Sequence, residues 1–240
     1  MRVELFVPCI IDQFFPNVAA NTIKVLERAG GDVDYNPAQT CCGRFAYHAG
    51  FLEEAKELGD KFLNDFSYDG PVVAPSAACV YYIKKRYPEL FFNTANHMNF
   101  KQMVANIYEL SDFLVNKLHF DDFGAEFPHR VTFLDSCSAL RGMGLGKEAR
   151  QLLSKVKGLE LVEMKQTDLC CGADLSLQVE HETLAVGMAN HKIKNALNTG
   201  AEYIVSTDMT CLMHLNSFIG KEGLPIKVIH LADVLASGWL

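Results

Sequence analysis

Apolar residues in this chain fall into short dense blocks and longer stretches at helical spacing, and the two kinds alternate. The block Arg2-Val3-Glu4-Leu5-Phe6 opens a strand predicted over 2–8, followed by a helix near 16–29 that stops at Gly30-Gly31 and a strand at about 32–35. A helix near 51–66 carries Leu52, Ala55, Leu58, Phe62 and Phe66 on one face, and a strand at 71–74 leads into a helix headed by Cys79. The same order then starts again: strand 131–135, helix 147–156, strand 159–163, helix 182–197, strand 202–206 and a helix from about 209. Strands alternating with helices imply parallel sheets covered on both faces. The expected fold class is therefore α/β, with two similar parallel-sheet half-domains related by internal duplication.

The cysteines sharpen the duplication. Cys9, Cys41-Cys42-Gly43 and Cys79 are followed by Cys137, Cys170-Cys171-Gly172 and Cys211, at offsets of 128, 129 and 132 positions, and none of the eight cysteines is left over. The flanking residues repeat too: Arg130-Val131-Thr132-Phe133-Leu134 answers the first strand, and Leu231-Ala232-Asp233-Val234-Leu235 answers Leu110-Ser111-Asp112-Phe113-Leu114. The halves are expected to divide within 121–128, giving cysteine-rich domains at 1–125 and 126–240 that pack against each other without a low-complexity linker. The segment 87–107, with Pro88, Asn93, Asn96 and Asn99, reads as an inserted excursion before the closing helix of the first half.

Cys9, Cys79, Cys137 and Cys211 each follow a strand and precede a helix. They are expected at the carboxyl ends of parallel strands, the edge where such sheets bind ligands, so that each half gathers one thiolate cluster.

At 240 residues and 49% hydrophobic, the chain is long enough to bury a substantial core. A formal charge of −7 with no dense basic cluster argues against nucleic acid or an anionic membrane as partner. No signal peptide is evident and no apolar run reaches the roughly 20 residues of a membrane span, so a cytoplasmic location is expected. Thiols stay reduced there, which makes regularly repeated cysteines metal ligands or catalytic groups rather than disulfides.

Four thiolates per half suit zinc or an iron–sulfur cluster. The vicinal pairs are unlike the Cys-x2-Cys knuckles of structural zinc sites and more naturally straddle two metals of one cluster, with Gly43 and Gly172 letting the backbone come close. His214, three residues after Cys211, is a further candidate ligand, and Asp208 is either an oxygen ligand or a helix N-cap. Two other motifs are weaker. Gly142-Met143-Gly144-Leu145-Gly146-Lys147 fails both the dinucleotide and the phosphate-loop pattern, and His48 and Asp135 near Cys42 and Cys137 do not single out one nucleophile from a fully duplicated set.

The doubled Cys…Cys-Cys-Gly…Cys pattern resembles the cysteine-rich CCG domain shared by heterodisulfide reductases and iron–sulfur oxidoreductases, over the entire chain. Gln39-Thr40-Cys41-Cys42-Gly43, Ala74-Pro75-Ser76-Ala77-Ala78-Cys79, Asp135-Ser136-Cys137 and Asp208-Met209-Thr210-Cys211-Leu212-Met213-His214 look most like its lactate-utilisation branch. The resemblance implies an iron–sulfur electron-transfer subunit of a complex oxidising L-lactate to pyruvate, with partner subunits that include a ferredoxin-like iron–sulfur protein. No residue is an evident base for the substrate, which leaves proton or hydride chemistry to a partner. A thiol–disulfide redox subunit and a zinc-binding scaffold remain the alternatives. The fullest motif of this family has a fifth cysteine, and Ser76 and Asp208 stand in its place here, which leaves a smaller cluster or a single metal open. Arg44-Phe45 replaces a usual Gln-Pro, Ser138 a frequent His, and Ala173-Asp174-Leu175 a glycine-rich stretch.

Overall fold

A computed structural model describes residues 1–66 and 70–239. Two four-stranded sheets carry the same topology. In the first, β1 (Arg2–Leu5), β2 (Asp32–Asp34), β3 (Val72–Ala74) and β4 (Ile107–Glu109) lie in the order β2-β1-β3-β4. In the second, β5 (Arg130–Phe133), β6 (Glu160–Leu161), β7 (Tyr203–Ser206) and β8 (Lys227–His230) lie in the order β6-β5-β7-β8. Every pairing is parallel, with Val3 opposite Val33 and Glu4 opposite Val72 in one sheet, Val131 opposite Leu161 and Tyr203 in the other. The α/β class and its duplication are as the sequence implied.

The halves share a core. Val3, Leu5 and Val73 of the first sheet belong to one buried cluster with Val131, Phe133, Ile204 and Val205 of the second, so neither sheet is dry without the other. Polar contacts fix the register between halves: Asn21 Nδ2 in the helix Pro16–Arg28 donates to Asp233 Oδ1 in the helix Leu231–Leu235 at 2.8 Å. The helix Ala77–Phe91 packs on the π-helical turn Ser138–Met143, where a side chain at Gly142 would meet the Tyr81 ring at 2.6 Å. That close approach accounts for a glycine in the motif that fails as a phosphate loop.

The segment 87–107 is not an irregular excursion. The helix headed by Ala77 runs through Pro88 to Phe91, and a further helix spans His97–Asn106 before β4. Proline removes one helical hydrogen bond and signals a stop, but Tyr87 just before it and Phe91 one turn beyond are both fully buried against the Phe62 and Gly59 helix, and that packing carries the helix past it.

β4 and β8 are strands that the periodicity did not reveal, and each ends in a residue that caps the next helix. Glu109 Oε2 accepts from the amide of Ser111 at 2.9 Å, and His230 Nδ1 accepts from that of Ala232 at 3.1 Å. Glu109 is fully buried and its Oε1 has no partner. Burial lifts its carboxyl from 4.5 to about 7, against hydrogen bonds from Ser111 and Asp112 that pull the other way. A carboxyl raised on folding favours the protonated native state, so its contribution is complete below pH 4.5 and is lost as pH rises through about 7. The loss amounts to about 3 kcal/mol. Glu109→Gln is expected to flatten the fall in melting temperature between pH 5 and 8, roughly the interval set by that shift; an unchanged slope would show that another group causes it.

Candidate metal centres

The carboxyl edge of each sheet places the cysteines as the sequence predicted. Cys9 begins the helix Cys9–Phe14 just beyond β1, and Cys79 lies in the first turn after β3. Cys137 stands just beyond β5, before the π-helical turn, and Cys211 in the first turn after β7. The vicinal pairs arrive on the loops after β2 and β6. All eight are free thiols.

The two sets have one geometry. Cys9 Sγ lies 3.6 Å from Cys41 Sγ, and Cys137 Sγ lies 3.6 Å from Cys170 Sγ. The amides of Gly43 and Gly172 each donate to the sulfur two residues back, at 3.4 Å. Cys42 is hydrogen-bonded with Cys41 and Cys79, and Cys171 with Cys170 and Cys211, so each set is a continuous chain of sulfurs. Among the described residues no three His, Cys, Asp or Glu side chains are gathered closely enough to hold a single metal ion.

Gly43 has φ +89° and Gly172 φ +83°, a left-handed conformation that side chains resist. Each also passes a helix backbone: a Cβ would lie 2.8 Å from the carbonyl oxygen of Ala55 or of Ala185 respectively. The glycines are what bring the vicinal sulfurs down onto their sets.

Electrostatically the sets are unlike. Hydrogen bonds from Cys42 and Cys9, helped by the Gly43 amide and the Arg44 charge, hold Cys41 down at about 3 against burial. Cys79 is lowered by Cys42 and Arg44, while Cys9 and Cys42, the donating partners, are raised. In the second set all four thiols lie above their ordinary value: hydrogen bonding to Cys170 raises Cys137, and burial together with neighbouring sulfurs raises the other three. The difference lies first in which thiols donate within each chain of sulfurs, and the Arg44 charge adds to it in the first half, where the second half has Ala173 at the matching position. Arg44 is 7% exposed. Burial acts to strip its proton, but the charges of Cys79, Asp208, Cys42 and Cys211 hold the guanidinium ionised. Its Nη2 donates to Thr210 Oγ1 in the other half at 3.1 Å, and its Nε has no partner.

Asp208 is the N-cap of the helix Met209–Glu222, accepting from Thr210 N at 3.1 Å, and it also accepts from Ala78 N in the first half at 3.0 Å. It thus joins the first turns of the helices that bear Cys79 and Cys211, while burial raises its carboxyl. Ser76, its counterpart, caps Cys79 N at 3.3 Å. Both positions where the fullest motif has a fifth cysteine serve here as helix caps. His214 directs Nε2 to the Ala185 carbonyl at 3.4 Å and stacks edge-on with Phe218, and burial lowers its pKa. It braces the backbone that Gly172 passes.

Sequence reasoning missed three residues. Arg44 stood out only as a departure beside the vicinal pair. Lys192, almost fully buried, donates to the carbonyls of Gln166 and Thr167 at 3.1 and 3.0 Å and so fixes the loop ahead of Cys170, yet a lysine inside a helix gives no signal of this. Asp174 meets His48 across the halves at 2.6 Å.

A fold and a doubled set of thiols of this kind define a duplicated cysteine-rich protein, and the model of the cysteine-rich CCG domain matches residues 3–84 and 131–216. The chain belongs to that family. It is 39% identical over 236 residues to a Lactate utilization protein A of Geobacillus thermodenitrificans, covering 98% of each chain. To the Lactate utilization protein A of Bacillus subtilis it is 36% identical over 238 residues, 99% of this chain and 100% of that one. Among solved structures, a hypothetical protein from Helicobacter pylori matches all of this chain with a TM-score of 0.67 at 12% identity; this chain spans 49% of it, and the likeness is one of fold.

Proposed function

We propose that this chain is an iron–sulfur electron-transfer subunit of a cytoplasmic complex that oxidises L-lactate to pyruvate. Cys9, Cys41, Cys42 and Cys79 would hold one centre and Cys137, Cys170, Cys171 and Cys211 the other, within domains at 1–125 and 126–240. The observation that carries the reading is that each half brings its four thiols into one chain of sulfurs at a sheet edge, with a glycine amide donating to a sulfur of the vicinal pair.

The residues fit such a group. The donors are soft sulfurs. A vicinal pair on one loop is unlike the Cys-x2-Cys knuckles of a structural zinc site and suits a centre of more than one metal atom. The Tyr82 hydroxyl is buried without a partner, and a Cβ on Gly43 would lie 3.4 Å from it, so a donor stands ready beside the first vicinal pair. An iron–sulfur group held there would accept and pass on single electrons. The chain's own part is to set each potential through burial, amide donors and the Arg44 charge. Asp208 and His214 then act by positioning, Asp208 through the cysteine-bearing helices and His214 through Ala185.

The printed name of the relatives supports lactate utilisation as the system this chain serves. The partners in this reading are the other subunits of that complex, a ferredoxin-like iron–sulfur protein among them. Among the described residues no helix is long and apolar enough to cross a membrane. The test is the behaviour of the chain purified without oxygen: a paramagnetic signal on reduction is expected, and a redox-inert chain would contradict the reading.

A further inference from the structure

Five large apolar side chains stand uncovered in two short segments that the duplication makes equivalent. In each half the vicinal cysteines and their glycine lead into a short helix and then a long one: Arg44–His48 and Leu52–Asp65 in the first, Leu175–Glu180 and Glu182–Leu197 in the second. Phe51 and Leu52 are exposed at the first junction and Leu175, Val179 and Leu184 around the second, with Val179 at 76% and Phe51 at 59%. The helix Leu175–Glu180 fully buries none of its side chains. His48 and Asp174, 2.6 Å apart, join the two segments across the halves. Both also line a cavity of about 200 Å³ that reaches Cys137 and Cys170, so the uncovered apolar residues frame the approach to the second cysteine set.

Single exposed apolar residues are ordinary, but a group of them inside a polar rim marks an interaction surface. The rim here is acidic. Glu53, Glu54 and Glu57 follow Phe51-Leu52, and Glu180 and Glu182 lie between Val179 and Leu184; all five are exposed. None of the five is held in an ion pair or a hydrogen bond among the described residues. Lys56, the one lysine or arginine within 50–57 and 174–184, is partly buried. Free carboxylates around an apolar face select a partner face that is apolar and ringed by lysine or arginine. They disfavour a second copy of this chain, since a two-fold contact would set the same carboxylates against each other.

We propose that this face, formed by Phe51 and Leu52 with Leu175, Val179 and Leu184, docks a basic partner protein that exchanges electrons with the second centre. The docking face rests on these side chains and their acidic rim; that the docked protein exchanges electrons rests on the functional reading above. The exchange is of one electron at a time, lost by one redox group and gained by the other, with no bond made or broken. A contact of this kind is brief: a small apolar core gives modest affinity, and the acidic rim speeds the encounter.

The test uses the full chain, purified without oxygen and with its iron and sulfide measured, and takes as probe cytochrome c, a basic protein whose haem edge is ringed by lysines. Calorimetric titration at low ionic strength gives the affinity, and rapid mixing of the reduced chain with oxidised cytochrome c gives the rate of haem reduction. Saturable binding is expected, weakened about fivefold or more by physiological salt or by acetylation of the cytochrome lysines. Glu180→Lys should lower affinity and rate by about fivefold or more, and Val179→Ser, which leaves the charge unchanged, by about threefold. Glu222→Lys makes the same change of charge at the other end of the helix that begins at Met209, away from the cysteines, and should alter neither by more than about twofold. No binding, equal losses in Glu180→Lys and Glu222→Lys, or no loss in Val179→Ser overturns the docking face and leaves the electron-transfer reading standing. Binding that follows the expected pattern in a chain without iron and sulfide keeps the docking face and overturns that reading instead.

Discussion

Cys171→Ser is expected to remove the second centre and leave the first, so that iron and acid-labile sulfide per chain fall by about half while the signal of the first centre persists. Cys171 is almost fully buried in the middle of its sulfur chain, between Cys170 and Cys211. Serine is close in shape but offers a hard oxygen whose proton is far more firmly held, so the substitution removes a ligand with little change in packing. Cys42→Ser should do the same to the first centre, and the double substitution should leave the chain without either. Because each set draws its sulfurs from its own sheet edge, the losses should be independent; full retention of iron and sulfide in Cys171→Ser would mean that the second set does not work as a unit.

Gly43→Ala is expected to cost stability on the order of 2–4 kcal/mol and to empty the first centre, through left-handed strain and a backbone collision together. The new Cβ would sit 2.8 Å from the Ala55 carbonyl oxygen at a φ of +89°, and neither the helix Leu52–Asp65 nor the vicinal pair can yield without moving sulfur. Gly50 separates the two contributions: its φ is +84° but nothing lies within 4 Å of a Cβ there, so Gly50→Ala should cost only the strain, about 1–2 kcal/mol. Denaturant midpoints of the two variants decide it. Equal losses would show that the collision at Ala55 is relieved cheaply and that the glycine is not what seats the vicinal pair.

Much of this architecture was legible in the residues because the duplication reads each element twice. The strands before Cys9, Cys79, Cys137 and Cys211 and the glycines after the vicinal pairs follow from patterning that a repeat makes hard to mistake. β4 and β8 escaped because Ile107–Glu109 and Lys227–His230 are too short to show a period. The helix through Pro88 escaped because a local stop signal was overridden by tertiary burial of Tyr87 and Phe91. The asymmetry of the two sets was hidden for a different reason. Arg44 acts on sulfurs of both halves, and only their packing puts its guanidinium against Thr210 and within reach of Asp208 and Cys211. The cysteine spacing speaks of each half separately and is silent on what lies between them.

Iron, acid-labile sulfide and zinc per chain, measured on protein purified without oxygen and accompanied by electron paramagnetic resonance before and after reduction, test the central claim most directly. The account predicts iron with matching sulfide and a signal that changes on reduction. Stoichiometric zinc with no sulfide and no redox response would contradict it and make the doubled cysteines a structural framework.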